Sequence, residues 1–421
     1  MRYVTAVAKL TVLTATLLAT SARADESGTA LVVARAQAMK MGAERGAAVR
    51  EARAPAAASA PLREAAGAFL PYAPKIMLFG GRREGAFGAG PELGGSVTQD
   101  LSLHGLGGAR RESAEAVDTA TRPNVDRARL ESAAHALVAW ADLLETQELL
   151  QLRTAARIDA EEIARVAQAR VTRGVAMPIE ASLAEAEVGA ALLAERDAEG
   201  ALVGARATLA FALGLPPAGP PPGSPTLIAV GALGGDDALA PSPPRREHPA
   251  EAAARSQVAL AQADAKLARA QASPPLSVGF NAAREGTGEK FLTGVVTFPL
   301  PLLDPTRFDA ARQQANVLTA EARARRVRDE LARDGALAAH ERTHTREVCD
   351  TLRTRVLEPL RETVRLARAG YQAGTQDATS LLLLRQRLVS AEEQLRHARG
   401  EVTRADIRHA LARGTLLEEG T

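Results

Sequence analysis

The sequence predicts a mainly α protein with a small β contribution: long coiled-coil helices joined to β-hairpins. Three observations carry that reading. Apolar residues recur at alternating steps of three and four through the helical segments, the spacing that keeps one seam against a partner helix. Two shorter regions alternate apolar with polar or small residues at a period of two, as a strand does. Eight Phe, three Tyr and one Trp are the only aromatics among 421 residues, while Ala, Leu, Glu and Arg are abundant, a composition of long, thinly packed helices.

The chain is 46% hydrophobic and 24% charged, which supports ordered structure. Its 52 Lys and Arg face 50 Asp and Glu. Arg2, Lys9 and Arg23 fall within an expected leader, so the remainder is close to neutral and a polybasic nucleic-acid binder is disfavoured. The single cysteine, Cys349, excludes an internal disulfide and a Cys-cluster metal site.

Residues 1–24 have the parts of an export signal. Basic residues precede an apolar stretch from Leu10 to Ala19, and Ala22-Arg23-Ala24 supplies the small-x-small cleavage pattern. The stretch falls short of the about 20 residues that a permanent transmembrane helix needs. Export with cleavage after Ala24 is expected, without lipid attachment, since no Cys stands near that site.

Beyond the leader, the chain aligns with itself at an offset of 200 residues, matching Gly174 with Gly374 and Gly214 with Gly414. Two repeats are expected, 25–215 and 248–414, with a short tail at 415–421. Each begins with a helical segment (29–66, 248–272) and continues into an alternating region (69–106, 274–304). A very long helix (108–173, 306–373) then meets a Gly turn and reverses into a return helix (176–214, 376–414). Pro123 and Pro359 are candidate kinks in the long helices. Between the repeats, prolines from Pro216 to Pro244 forbid regular helix and predict a linker at 216–247.

The return helices carry the seams. In the second repeat the seam is Leu381, Leu384, Leu388, Ala391, Leu395, Ala398, Val402 and Ala405. In the first it is Ala181, Ala184, Val188, Ala191, Ala198, Leu202, Ala205 and Leu209, interrupted once by Glu195. The alternating regions place Leu93, Gly95, Val97, Leu101 and Leu103 on one face. Leu276, Val278 and Phe280, and Leu292, Gly294, Val296, Phe298 and Leu300, do the same in the second repeat, while 74–84 is a weaker fourth strand. Seven aromatics lie in these regions: Phe69, Tyr72, Phe79, Phe87, Phe280, Phe291 and Phe298. A strand of roughly 10 residues suffices to cross a bilayer when tilted. Four strands cannot close a barrel, and open edges in lipid leave backbone groups unpaired, so several chains must pool their strands.

These residues resemble the outer membrane efflux proteins, the TolC-like outer membrane factors. Tyr371-Gln-Ala-Gly374 with the Leu381–Leu384 run resembles the family's Y-x-x-G turn and leucine-rich return helix. Ala270-Gln-Ala-Ser-Pro274-Pro-Leu and Phe298-Pro-Leu-Pro301-Leu-Leu-Asp304 resemble its helix–strand junctions, and Asp100 to Arg110 looks like their first-repeat counterpart. The resemblance implies a homotrimer with a periplasmic α-barrel and a 12-stranded β-barrel in outer-membrane lipid. It implies a passive duct of a tripartite efflux or type I secretion system, working with a periplasmic adaptor and an inner-membrane pump of RND or ABC type. It also implies adaptor contact at the two Gly turns, here Arg170, Arg173 and Gly174, and Gly370, Tyr371 and Gly374; Gly370 stands where the family pattern has Arg. The aperture position six residues past each Gly holds Glu180 and Ser380, with Asp377 close by. Read without the family, the glycines supply a helix reversal and the arginines a solvated C-terminal turn.

One catalytic pattern competes. His340-Glu341-Arg342-Thr343-His344 matches H-E-x-x-H, in which two His a helical turn apart hold zinc and the Glu acts as base. A secreted zinc metallopeptidase is therefore one alternative and a soluble periplasmic coiled-coil scaffold another. Catalytic zinc needs a third protein ligand and a dry, shaped cleft, and the extended pattern fails at Glu347 and Asp350, so the match to a zinc peptidase is read as coincidental. His104, His135, His248, His397 and His409 have no metal-like spacing, and Cys349 is read as incidental. Without a phosphate loop or a nucleophile elbow, no catalytic residue and no cofactor are expected.

Overall fold

The computed structural model describes residues 31–68, 72–85, 88–102, 105–216, 227–234, 247–285, 288–298 and 306–418. The leader, most of the Pro-rich segment, Phe69, Phe87, Leu103, His104, Leu300 and the junction at 301–304 lie outside the described residues.

The described residues begin with strand β1 (Leu31–Ala34), then helices α1 (Arg35–Arg45) and α2 (Ala47–Ala66). A hairpin follows, β2 (Lys75–Gly85) and β3 (Gly88–Leu101), then the long helix α3 (Leu106–Thr172) and its return helix α4 (Pro178–Ala212). After β4 (Leu227–Val230) the order recurs: α5 (Pro249–Gln271), hairpin β5 (Leu276–Arg284) and β6 (Lys290–Thr297), then α6 (Thr306–Thr351). A π-helical segment, Leu352–Leu357, leads into α7 (Glu358–Gln372), and α8 (Ala378–Ala412) returns. The 67 residues of α3 extend for about 100 Å at 1.5 Å per residue.

Four local expectations change. The first helix does not start near 29, because Val32 and Val33 favour a strand and β1 pairs in parallel with β4. That first helical segment also breaks at Gly46, which separates α1 from α2. The segment 216–247 is not wholly irregular, since β4 is built into the core, with the amide of Gln147 gripping Ala229 at both N (2.9 Å) and O (3.4 Å). Pro123 does not divide α3, whereas ahead of Pro359 the helix widens into the π segment. A proline clashes with the carbonyl four residues back, and the wider turn relieves that clash. Glu358 N accordingly donates to Arg353 O, five residues back.

The main core gathers the middle of α3, the ends of α4 and α8, α1 and the β1–β4 pair. Leu137, Leu143, Leu209, Leu213 and Ile407 are fully buried there, each contributing about 1.5–3 kcal/mol. Trp140 seals one end, its indole N–H donating to Val33 O at 3.0 Å. The Ala-rich seams do face partner helices: Ala391, Leu395, Ala398, Val402 and Ala405 are buried in α8, and Ala184, Ala198, Leu202 and Leu209 in α4.

The hairpins join into one antiparallel sheet of order β2-β3-β5-β6. Its register sets Ile76, Val97 and Phe280 side by side, then Leu78 and Gly95, then Ala282 and Leu292. On that face Ile76 is 70%, Leu78 82% and Leu292 75% exposed, an uncovered apolar surface. The opposite face is mixed: at one end Asp100 is buried, accepts from Ser277 Oγ at 2.5 Å and pairs with Lys75 Nζ at 2.7 Å, while Met77, Phe79 and Phe291 lie further along it. Among the described residues, β2 and β6 are the open edges of this sheet.

Candidate functional site

Both coiled-coil hairpins end in the same turn. At the α3–α4 end, Gly174 takes φ 72° and Val175 N closes back on Arg170 O at 3.1 Å. At the α7–α8 end, Gly374 takes φ 79° and Thr375 N closes on Gly370 O at 2.9 Å. A left-handed residue there is nearly free for Gly and strained for other residues.

The two turns are tied to each other. The Arg170 guanidinium lies over the Tyr371 ring, 4.5 Å from its centroid, and Nη1 donates to Tyr371 O at 2.7 Å. Such a contact contributes about 0.5–2 kcal/mol, more as it is desolvated. Tyr371 is only 2% exposed among Ile163, Ala167, Ala184, Leu381 and Leu382. Burial pushes its phenol above the ordinary range, opposed by Arg170 and reinforced by Glu180. The Tyr371 hydroxyl and Glu180 Oε2 are both buried without a hydrogen-bond partner among the described residues.

The other expected site residues fall into two groups. Arg173, Gly174 and Gly374 are exposed at the ends of the hairpins, and Gly370 is half-buried beside Tyr371. Asp377 and Ser380 are paired: Asp377 caps α8, accepting from Ser380 N at 2.8 Å. Bonds from Ser380 hold the Asp377 carboxyl below its usual range. Glu180 alone of the three aperture candidates sits at the Arg170–Tyr371 contact.

Above the turns runs a ladder of charges that motif spacing does not single out. Arg368 reaches Glu162 at 2.8 Å and Asp159 at 3.4 Å, and Arg385 pairs with the same Asp159. Arg385 is 13% exposed in its side chain, and burial lowers its pKa. Higher still, Arg153 bridges Glu393 at 3.0 Å and Ala194 O at 3.0 Å. Glu195, the break in the first seam, accepts from Thr154 at 2.7 Å and Arg157 at 2.6 Å. A small cavity of about 230 Å³ between α3, α4 and α8 is lined by Arg153, Ile163, Leu382 and Arg385. Its walls come from both repeats, so the ladder locks one hairpin against the other. The one signal of buried polarity in the sequence is Glu195, whose place in an apolar seam calls for hydrogen-bond partners, here Thr154 and Arg157.

The H-E-x-x-H segment lies elsewhere, on α6. Glu341 is held by Arg408 at 2.9 Å, so the base of the peptidase pattern is already paired. Among the described residues no group of three or more His, Cys, Asp or Glu is placed to hold a metal ion. No helix among them is long and apolar enough to cross a membrane.

Comparison with known proteins bears on this geometry. Residues 244–414 match the model of the family described as outer membrane efflux protein. No curated protein matches the chain. Solved structures share its fold along most of its length. The outer-membrane channel OprN is 18% identical with TM-score 0.70, covering 90% of this chain and 89% of that one. The CmeC outer membrane channel of Campylobacter jejuni is 14% identical with TM-score 0.70, covering 90% and 85%. The MtrE outer membrane channel of Neisseria gonorrhoeae, in an open state, is 19% identical with TM-score 0.66, covering 90% and 89%.

Proposed function

We infer that the chain is an outer membrane efflux protein, the outer-membrane duct of a tripartite export system. The observation that carries this is the joining of two coiled-coil hairpins to a single four-stranded sheet with one bare apolar face. An apolar face suits lipid and a polar face suits a water-filled lumen. Open edges at β2 and β6 cost several kcal/mol for each unpaired backbone group in lipid, which favours three copies closing a 12-stranded barrel. The partners are then two further copies of the chain, outer-membrane lipid, a periplasmic adaptor and an inner-membrane pump of RND or ABC type. Segments 25–215 and 248–414 act as two repeats of one duct wall, and the leader 1–24 is removed after Ala24.

The duct opens by repacking its tips. Adaptor contact at Arg170, Arg173 and Gly174, and at Gly370, Tyr371 and Gly374, favours the separated arrangement. The Arg170–Tyr371 link and the Asp159 ladder favour the closed one, with Glu180, Asp377 and Ser380 nearest the aperture. An adaptor shifts the balance only by its differential affinity for the two states. Arg170→Glu removes the cation over Tyr371 and sets a second carboxylate near Glu180. The expected result is loss of export with an intact, heat-sensitive trimer, alongside raised conductance of the purified protein in planar bilayers. Full export by this variant would exclude the first tip from adaptor contact. A monomer absent from the outer-membrane fraction would overturn the duct.

A further inference from the structure

We propose that His340 and His344 form a surface site for a divalent late-transition-metal ion, with Cu(II) the tightest. The reading rests on α6 alone and is independent of the duct. Both residues are exposed, one helical turn apart, with rings nearly parallel (8°) and centroids 6.0 Å apart. A metal about 2.0–2.1 Å from one nitrogen of each ring would bring the centroids to roughly 5.2 Å at a tetrahedral angle, and rotation of the two exposed rings out of their stacked arrangement would turn one nitrogen of each toward it. Neither ring is held by a hydrogen bond among the described residues. By contrast, His248 joins Ala250 N and Leu411 O, and His397 is taken by Glu145.

The helix keeps this pair clear of the packed side. Arg342 and Arg346 point at Asp406 of α8, and residues two positions away lie about 200° round the helix. His340 and His344 therefore share the face turned from α8, with exposed Glu347 one turn further along it. Arg408 diverts Glu341 to the other side, which removes the peptidase base and leaves both imidazoles as ligands. Two protein nitrogens with water in the remaining positions make an exchangeable site. Imidazole nitrogen suits Cu(II), Ni(II) and Zn(II), and Cu(II) heads that order.

The test is titration of the purified mature protein with Cu(II) in a non-coordinating buffer, followed by equilibrium binding and electron paramagnetic resonance. One Cu(II) per chain with two-nitrogen coupling is expected. His340→Gln or His344→Gln should each weaken binding at least tenfold and reduce the coupling to one nitrogen. His135→Gln, which removes an exposed histidine with no second imidazole a turn away, and Glu341→Gln should leave it unchanged. On the unaltered protein, Cu(II) should protect His340 and His344 together from diethyl pyrocarbonate, read by mass spectrometry. Equal affinity in the His344→Gln variant, or no joint protection, overturns the site.

Discussion

Glu195 shows how one side chain can contradict a pattern and still serve it. It stands at a seam position, is buried, and is satisfied by the Thr154 hydroxyl and the Arg157 guanidinium. The Thr154 bond first, then Arg157, hold its carboxyl below the usual range. A depressed folded pKa means that the stabilisation is present above the unfolded value and disappears as pH falls through the folded one. Glu195→Gln should therefore flatten the acid side of the melting-temperature profile, with little change in its slope at alkaline pH. Thermal scans from about pH 2 to about pH 8, a range that brackets the ~4.3 of an ordinary Glu, would read this. An unchanged acid limb would mean that Glu195 carries no such linkage. His409 works in the same direction: burial first, then Arg342, lowers its pKa, so protonation on acidification favours the unfolded chain.

At the scale of elements, small residues decide how closely the pieces meet. A Cβ at Gly42 of α1 would lie 2.5 Å from Ala136 Cβ and 2.8 Å from Ser132 O on α3. Ala is favoured over Gly in a helix by about 1 kcal/mol, but overpacking against backbone costs about 1–3 kcal/mol. Gly42→Ala should thus be neutral to destabilising by up to about 2 kcal/mol in chemical denaturation, despite the better helix former. In the sheet, Gly279 of β5 faces Val97 O at 2.3 Å and Thr98 Cγ2 at 2.6 Å from an added Cβ. β3 and β5 are the strands that join the two hairpins. Gly279→Val should open that seam and abolish the heat-sensitive trimer on a gel, while the helical circular dichroism persists. A normal assembly would show that the β3–β5 joint tolerates separation.

For the whole molecule, the two hairpins are held together by charge as well as by apolar packing. Asp159 receives both Arg368 and Arg385, and Arg385 is deep enough that removing its partner leaves a poorly solvated cation. Breaking such a pair costs about 3–5 kcal/mol when it is fully buried, and less here, where Asp159 is 34% exposed in its side chain. Asp159→Asn should therefore raise channel conductance in planar bilayers by shifting the tips toward separation. It should also lower the denaturation midpoint. Unchanged conductance would assign the ladder to stability alone.

Sequence by itself determined the elements and their order, because helix and strand periods are local properties of the chain. The seams, the alternating strands, the Gly174 and Gly374 turns and the hairpin-to-rod arrangement were all legible in it. Strand β1, its pairing with β4 across nearly 200 residues, and the π segment before Pro359 were not. Four residues carry too little pattern to outweigh a helical context, and a register change in a helix leaves no periodic mark. The tips divide in the same way. The turns that carry Arg170 and Tyr371 were readable, but only the tertiary structure set the cation over the ring and brought Asp159 between Arg368 and Arg385. Those contacts join side chains some 200 positions apart, and their existence depends on which faces of two coiled coils meet.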